Sequence, residues 1–411
     1  MRIAFCSPPL IGRRQKSVEA EDCCWGIGAR VLPAMLLACA SEARQAGHDV
    51  AFTDLSIDRS AVLYEFKPDI VVHSLAWQWH HAVNDAMARI CGGIKRIILA
   101  VPPGYAQHYV EDMGCPVAYT EPEKSLLDIL AGELRQGIYP NCMTDLGPTD
   151  FALVPDRYWP HYAAVIYQVG RGCPYRCKFC VWGGSFVTDP TFRLRPAQLV
   201  ADNLCQLREI TVKALGRPLP VYLLAGQLTA SQRWVDQFHA AMAFEPYKFQ
   251  SPVNLQDLTA EKLRLLHECG LVSTSVGLEA TADPILKRMG KPFTFERATH
   301  GLLTLQEAGQ AYGLKWRAHV RYGVGETAEE VQEATENVHK LRQAGLRRLR
   351  VDLAQMVHYE GTHLRAEANY ELANLPKRTE YCPVMAHPPD YGAFKDALRA
   401  YDWLAYEGER K

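Results

Sequence analysis

Short apolar runs alternate with amphipathic stretches along the first third of the chain. "RIAFCSPP" (2–9) has strand character and runs into a turn, and "VLPAMLLACASEARQAG" (31–47) repeats apolar residues at helical spacing until Gly47 closes it. Strand-like "HDVAFTDL" (48–55), "PDIVVHSL" (68–75), "RIILAVPPG" (96–104) and "CPVAYTEP" (115–122) follow. Between or after them lie a short helix, "HHAVNDAMARICGG" (80–93) and "EKSLLDILAGEL" (123–134), all of helical period. Such alternation predicts a parallel sheet with helical crossovers, whose ligands bind beyond the carboxyl ends of the strands. After a proline- and aromatic-rich linker (139–164) a second series begins. Its strands are "AVIYQVGRG" (164–172), "PVYLLAG" (220–226), "KFQSPVN" (248–254), "VSTSVGLE" (272–279), "KWRAHVRYG" (315–323) and "RLRVDLAQMV" (348–357), with helical patterns between them. Six βα units predict a barrel or partial barrel with its reactive mouth at the strands' carboxyl ends. The fold class is therefore α/β. A Rossmann-like domain (1–138) and linker (139–164) precede a partial (β/α)6 barrel (165–365) and a C-terminal extension (366–411).

Composition narrows the partners. The 411 residues carry 45 Lys and Arg against 46 Asp and Glu, so no global basic field draws the chain to nucleic acid. The apolar "VLPAMLLACA" (31–40) is too short to span a bilayer, and the start of the chain lacks a signal-peptide layout. These features predict a soluble cytoplasmic protein. Thirteen cysteines in a reducing compartment should not form a disulfide framework. Cys39, Cys91, Cys205 and Cys269 sit in helical patterns as small buried hydrophobes. Cys6 and the pair Cys23 and Cys24 retain a cofactor or redox alternative.

One cluster stands apart. "GRGCPYRCKFCVWGG" (170–184) holds Cys173, Cys177 and Cys180 as C-x3-C-x2-C directly after the first strand of the second series. Structural zinc wants four ligands, usually in two pairs, and no second pair follows. Gly172, Pro174, Tyr175 and Arg176 make the segment a loop rather than a core stripe. Soft thiolates on a loop suit iron–sulfur ligation. Three of them on a four-iron cluster leave one iron open to another ligand.

Here the chain resembles the radical S-adenosylmethionine (radical SAM) superfamily, through the C-x3-C-x-aromatic-C loop with Phe179 as the aromatic. It resembles in particular the subgroup that carries an N-terminal cobalamin-binding domain. The segments "VGLEATADPILKRMGK" (276–291), "VRYGVGET" (320–327) and "MVHYEGTHL" (356–364) stand in that subgroup's order. The resemblance implies a [4Fe-4S] cluster on Cys173, Cys177 and Cys180 whose open iron chelates SAM. One electron, from a donor such as a flavodoxin or ferredoxin, then yields a 5′-deoxyadenosyl radical. It also implies a SAM site from Phe179, Trp182, Gly226, Gln227, Glu279 and Arg317. Glu279 either holds SAM or pairs with Lys287 or Arg288. "LLAGQLT" (223–229) departs from the family's acidic turn, because Gln227 carries no charge. On the fifth strand Lys315, Arg317, His319 and Arg321 share one face, as a polar cavity or a solvated edge would require. Arg317 is suited to a carboxylate of SAM or of the substrate.

The same resemblance extends over residues 1–138 and implies a cobalamin site from Pro9, Leu10, Ser74, Leu75, Trp77, Pro102, Gly104, Tyr105 and Glu121. The Asp-x-His-x-x-Gly signature of other cobalamin proteins is absent, so no histidine is required below cobalt. Trp77 and Trp79 stand where a lower-face residue would sit, or they pack between domains. "VPPGYAQH" (101–108) keeps a single glycine where the family's turn is glycine-rich. The implied activity is cobalamin-dependent methyl transfer to an unactivated carbon of a small molecule or peptide. A radical SAM enzyme with a cobalamin-free first domain and a non-methylating step is the alternative. A methylthio-transferring enzyme would need a second cluster, for which Cys6, Cys39 and Cys91 are the candidates. A non-catalytic scaffold is the remaining reading. The aromatics of "DRYWPHY" (156–162) line an entrance or pack between domains.

Overall fold

The computed structural model describes residues 1–8, 30–58, 61–74, 80–99, 114–118, 121–133, 146–180, 182, 192–242, 244–358, 362–367, 385 and 388–408. It divides into two compact units. The first holds residues 1–171 and 187–224, and the second holds residues 172–186 and 225–411. The strand series read as one barrel is thus shared between the two.

The first unit contains a five-stranded parallel sheet. Its strands are β1 (Arg2–Ser7), β3 (Asp49–Asp54), β4 (Ile70–Ser74), β5 (Lys95–Leu99) and β6 (Val117–Ala118), in the order β3-β1-β4-β5-β6. Counting within the sheet this is 2-1-3-4-5, the doubly wound order whose switch point lies between the first and third strands, here β1 and β4. The apolar periodicity of helix 80–91 seats Val83, Met87 and Cys91 on Ala4, Cys6 and Val71 of the sheet, with Leu55 and Leu63 completing the cluster.

Residues 31–47 do not form one helix. Val31–Pro33 is a strand, β2, and the helix starts at Ala34 with Pro33 as its N-cap. Proline restrains the residue before it to extended backbone and suits a helix boundary. β2 pairs in parallel with β7 (Ala164–Gln168), which pairs on its other side with β10 (Val221–Leu224). The stretch read as a linker is also packed structure. Tyr158 and Trp159 are fully buried in a 3-10 turn, Tyr158 Oη donates to Asp58 at 2.8 Å and Tyr162 Oη donates to Asp54 at 3.0 Å. The "DRYWPHY" aromatics therefore pack and do not line an entrance.

A buried ionic network ties this unit together. Arg171, in the short ribbon of β8 (Gly170–Arg171) and β9 (Arg193–Leu194), donates to both oxygens of Glu123 at 2.7 Å and to Glu121. Arg193 donates to the other oxygen of Glu121 at 2.5 Å. The carboxylate side chains are 0% and 1% exposed, and the guanidinium side chains 5% and 8%.

In the second unit five strands run in parallel and in sequence order: β11 (Phe249–Val253), β12 (Leu271–Glu279), β13 (Lys315–Tyr322), β14 (Val351–Gln355) and β15 (Leu404–Gly408). β15 gives a strand to the tail that the sequence left unassigned. Thr274, Val276 and Leu278 are buried, whereas Ser273, Ser275 and Gly277 on the other face are partly open. Register then aligns Ser273 with Lys315, Ser275 with Arg317, Gly277 with His319, and His319 with Asp352. One face of the sheet is apolar and buried, and the other is a polar wall.

Removing one partner of a buried ion pair strands the other charge, at a cost of about 3–5 kcal/mol. Arg171→Met should therefore lower the unfolding free energy by an amount of that order, and the urea midpoint with it. A surface control, Arg264→Met, breaks only exposed pairs to Glu261 and Glu268 and should leave the midpoint nearly unchanged. Circular dichroism titrations of both variants check this.

Candidate active site

The three cysteines sit on an irregular loop that begins at Gly172, whose φ of 67° favours glycine. Cys173 and Cys177 are buried, and Cys180 is partly exposed. Burial is the main cause that raises the Cys173 thiol to about 12 and the Cys177 thiol to about 11, with Cys177 and Cys180 contributing at Cys173 and Cys180 contributing at Cys177. Among the described residues no group of three His, Cys, Asp or Glu side chains is arranged to hold a metal ion. A mononuclear zinc site requires such convergence, whereas a four-iron cluster takes each thiolate on a different iron.

The loop is clamped from several directions within the second unit. A Cβ on Gly226 would sit 2.1 Å from the Gly172 carbonyl oxygen and 3.3 Å from Cys173 Cβ. Glycine at 226 is thus a requirement of close backbone approach. Lys178 N donates to Met289 O at 2.8 Å, Leu364 N donates to Lys178 O at 2.9 Å, and Gly290 presses on the Arg176 carbonyl. Two of the three segments singled out downstream, 276–291 and 356–364, therefore close on the cysteine loop. The third, 320–327, folds around Glu326, which accepts from Gly323 N, Val324 N and Tyr391 Oη, while His358 Nε2 lies 2.6 Å from Gly323 O.

Each proposed SAM residue has a definite place. Phe179 lies in the turn between Cys177 and Cys180, and Trp182 N donates to Cys180 Sγ at 3.4 Å. Gln227 is 2% exposed and its Nε2 donates to Thr229 Oγ1 at 2.8 Å and to Asp257 Oδ2 at 2.9 Å. Tyr175 of the cysteine loop donates to the other oxygen of Asp257. Gln227 thus braces the loop through Asp257, a role a carboxylate could not share with Asp257 without repulsion. Glu279 ends β12 with φ at 65°, a left-handed conformation costing a non-glycine residue of order 1–3 kcal/mol. Its carboxylate folds back over Gly277, where a Cβ would lie 2.2 Å from Oε1. It pairs with Lys291 at 3.6 Å rather than with Lys287 or Arg288, and Arg288 instead engages Glu330. Arg317 reaches Asp352 at 3.3 Å, and His319 Nδ1 stands 3.5 Å from the same carboxylate. Desolvation and the neighbouring Arg321 hold His319 below its ordinary range.

Lys291, Asp257 and Asp352 were not named from the sequence. Lys291 closes the quoted 276–291 segment, but its partner is set by the backward turn of Glu279. Asp352 is identified only by strand register.

Of the residues implied for cobalamin, Pro9, Leu10, Leu75, Trp77, Pro102, Gly104 and Tyr105 lie outside the described residues, as do Trp79, Cys23 and Cys24. Ser74 ends β4, half-buried at the sheet's carboxyl edge. Glu121 has both carboxylate oxygens committed to Arg171 and Arg193. His73, in register with Cys6 at the β1/β4 switch point, is fully buried with its Nε2 unpartnered. Burial lowers its pKa to about 4, so the ring is neutral at physiological pH. Cys6 and Cys91 belong to the apolar cluster under helix 80–91, and Cys39 is buried in helix 34–45. Among the described residues they do not form a second cysteine-ligated site.

Residues 167–338 match the Radical SAM superfamily model. No curated protein sequence matches the chain. Among solved structures, the cobalamin-dependent S-adenosylmethionine radical enzyme OxsB with aqua-cobalamin bound superposes with a TM-score of 0.70 at 14% identity, over 93% of this chain and 64% of OxsB. With aqua-cobalamin and S-adenosylmethionine bound, OxsB gives 0.71 at 15% identity, over 98% of this chain and 66% of that one. The radical S-adenosylmethionine methyltransferase TsrM from Kitasatospora setae, with cobalamin and a [4Fe-4S] cluster bound, gives 0.65 at 14% identity, over 88% and 76%. The chain spans just under two thirds of the length of OxsB. At these identities the likeness is one of fold, and it bears out the α/β architecture read from the sequence. Among the described residues no helix is long and apolar enough to cross a membrane.

The crowding at Gly226 yields a direct test. Gly226→Ala should displace the Gly172–Cys173 backbone and cut iron uptake severalfold in anaerobic reconstitution, with the far-ultraviolet spectrum retained. Gly93→Ala meets nothing within 4 Å and should take up iron as the wild type does.

Proposed function

We infer from the radical SAM domain carried by residues 167–338 that the chain is a cobalamin-dependent radical SAM enzyme, a methyltransferase acting on an unactivated carbon of a small molecule or peptide. The observation that carries this reading is the C-x3-C-x2-C loop, clamped at Gly226, in a chain that shares its fold with cobalamin-dependent radical SAM enzymes over 93% of its length. Cys173, Cys177 and Cys180 would hold a [4Fe-4S] cluster. The donor set fits: three soft thiols on one loop, with backbone room secured by glycine. The first unit fits cobalamin through the switch point between β1 and β4, where Ser74 and the orphaned Nε2 of His73 mark the carboxyl edge. When bound, the cluster would supply the electron that splits SAM into methionine and an adenosyl radical, and cobalamin would carry the methyl group to be transferred.

The chain's own residues do the rest. Burial of Cys173 and Cys177 keeps water from the loop. Glu279 and Arg317, at the polar wall, suit the ammonium and carboxylate ends of an amino acid such as the methionyl part of SAM. Asp352 holds Arg317 in place, so that the guanidinium is oriented before any ligand arrives. Arg321 bonds only the main-chain carbonyls of Val320 and Asp352 among its described contacts, which leaves its charge available to an anionic group of the substrate. An external flavodoxin- or ferredoxin-type donor would supply the electron.

Metal analysis tests this reading. After anaerobic reconstitution with hydroxocobalamin and gel filtration, about four iron and one cobalt per chain are expected, as one four-iron cluster and one cobalamin require. With dithionite and SAM the wild type should form 5′-deoxyadenosine, and the Cys173→Ala, Cys177→Ala and Cys180→Ala variants should form none. Iron without cobalt favours a cobalamin-free first domain and a non-methylating radical step. The stiff "VPPGYAQH" turn, with its single glycine, would then be the sequence feature responsible. Uptake of neither iron nor cobalt refutes the enzyme reading.

A further inference from the structure

Lys291 occupies an unusual environment for an ammonium. Its side chain is 5% exposed. Its Nζ lies 5.0 Å from the ring centroid of Phe293 and 5.8 Å from that of Phe179, the aromatic between Cys177 and Cys180. Ring faces attract a cation through their quadrupole without neutralising it. The nearest carboxylate, Glu279, is 3.6 Å away, longer than a hydrogen bond, so the charge is not consumed in a tight pair. The Phe179 ring that the ammonium faces belongs to the turn between Cys177 and Cys180, and Gly290, the residue before Lys291, lies against the Arg176 carbonyl and Lys178 of the same loop. A fixed cation, with a fixed anion beside it, thus stands against this loop at low solvent exposure, where screening is weak.

We propose that Lys291 is a positioning residue that sets the reduction potential of the iron–sulfur cluster, with Glu279 opposing it. The inference rests on the cluster assignment made above. Reduction adds one electron, from dithionite or the physiological donor, and so one negative charge to the cluster. No bond forms or breaks in that step. A fixed cation stabilises the more negative, reduced form over the oxidised one, and a fixed anion does the reverse. Charge near the cluster and hydrogen bonds to its sulfurs are the means by which a protein tunes such a centre. Trp182 N on Cys180 Sγ is the hydrogen-bond counterpart on the same loop.

The test is a redox titration followed by electron paramagnetic resonance, without SAM, on reconstituted wild type, Lys291→Met, Lys291→Gln, Lys291→Arg and Glu279→Gln, with iron and sulfide counted in each. Lys291→Met or Lys291→Gln should keep wild-type iron, and its ratio of reduced to oxidised cluster at the wild-type midpoint should fall about tenfold, equivalent to about 59 mV for one electron. Lys291→Arg should stay near the wild type, and Glu279→Gln should shift the other way. An unchanged midpoint with full iron overturns the proposal. If the midpoint is unchanged and SAM, added to the reduced samples after the titration, no longer alters the spectrum, the proposal is overturned and Lys291 belongs to the SAM site instead. Loss of iron in both neutral variants also overturns it, in favour of a purely structural residue. Wild type that takes up no iron refutes the cluster assignment itself, which separates that failure from failure of this inference.

Discussion

Four ionised groups withdrawn from water can persist only if they meet one another, and that necessity organises the first unit. Glu121 and Glu123, in the turn after β6 and the first turn of helix 122–130, have nothing to gain from burial except the guanidinium groups of Arg171 and Arg193. Those arginines lie on the β8–β9 ribbon, far along the chain. Pairing them draws together the end of the Rossmann-like sheet and the ribbon that continues β7. Desolvation makes a buried pair only weakly stabilising relative to an apolar one, but it makes every mispaired arrangement expensive. The network therefore acts on specificity of docking more than on net stability. Its chain position matters: Gly172 follows Arg171 directly and opens the cysteine loop.

The loop itself is governed by a different constraint, the exclusion of side-chain atoms. Gly172 turns with positive φ, Gly226 leaves room for the Gly172 carbonyl, and Gly290 allows the turn after helix 283–288 to approach Arg176. Each removal of a Cβ brings backbone against backbone, and the hydrogen bonds from Lys178 N to Met289 O and from Leu364 N to Lys178 O then hold the loop. Polar bracing by Tyr175, Asp257 and Gln227 completes it. A loop held by main-chain contacts presents its thiols with little rotamer freedom left in the supporting shell, as a bound centre requires.

Much of this was legible from the sequence for physical reasons. Period-two and period-3.6 patterns are imposed by burial on one face, so the six strands from Ala164 to Gln355 could be placed. The cysteine spacing is local chemistry and needed no tertiary information. What escaped notice was set by tertiary geometry. Pro33 ends a short strand because β7 is there to receive it. The 156–162 aromatics bury because Asp54 and Asp58 accept their hydroxyls. Glu279 misses Lys287 and Arg288 because its positive φ and the bulge beside it turn the carboxylate back toward Lys291. Glu121 occupies the turn expected to meet a cofactor but is drawn into an arginine pair.

The polar wall shows how the two levels meet. Alternation on β13 places Lys315, Arg317, His319 and Arg321 on one face, as the sequence implied, but three or four like charges along one strand repel and would splay into solvent. Asp352 resolves the conflict. Strand register sets it opposite His319, within 3.5 Å of that imidazole and 3.3 Å of Arg317. Desolvation and the flanking arginines then keep His319 from adding a further charge. The wall is therefore cationic at Arg321, balanced at Arg317 and neutral at His319, a graded surface made from a strand that looks uniformly basic in one dimension. Such grading gives the wall an electrostatic direction along the strand, rising from Arg317 and His319 to the uncompensated charge of Arg321.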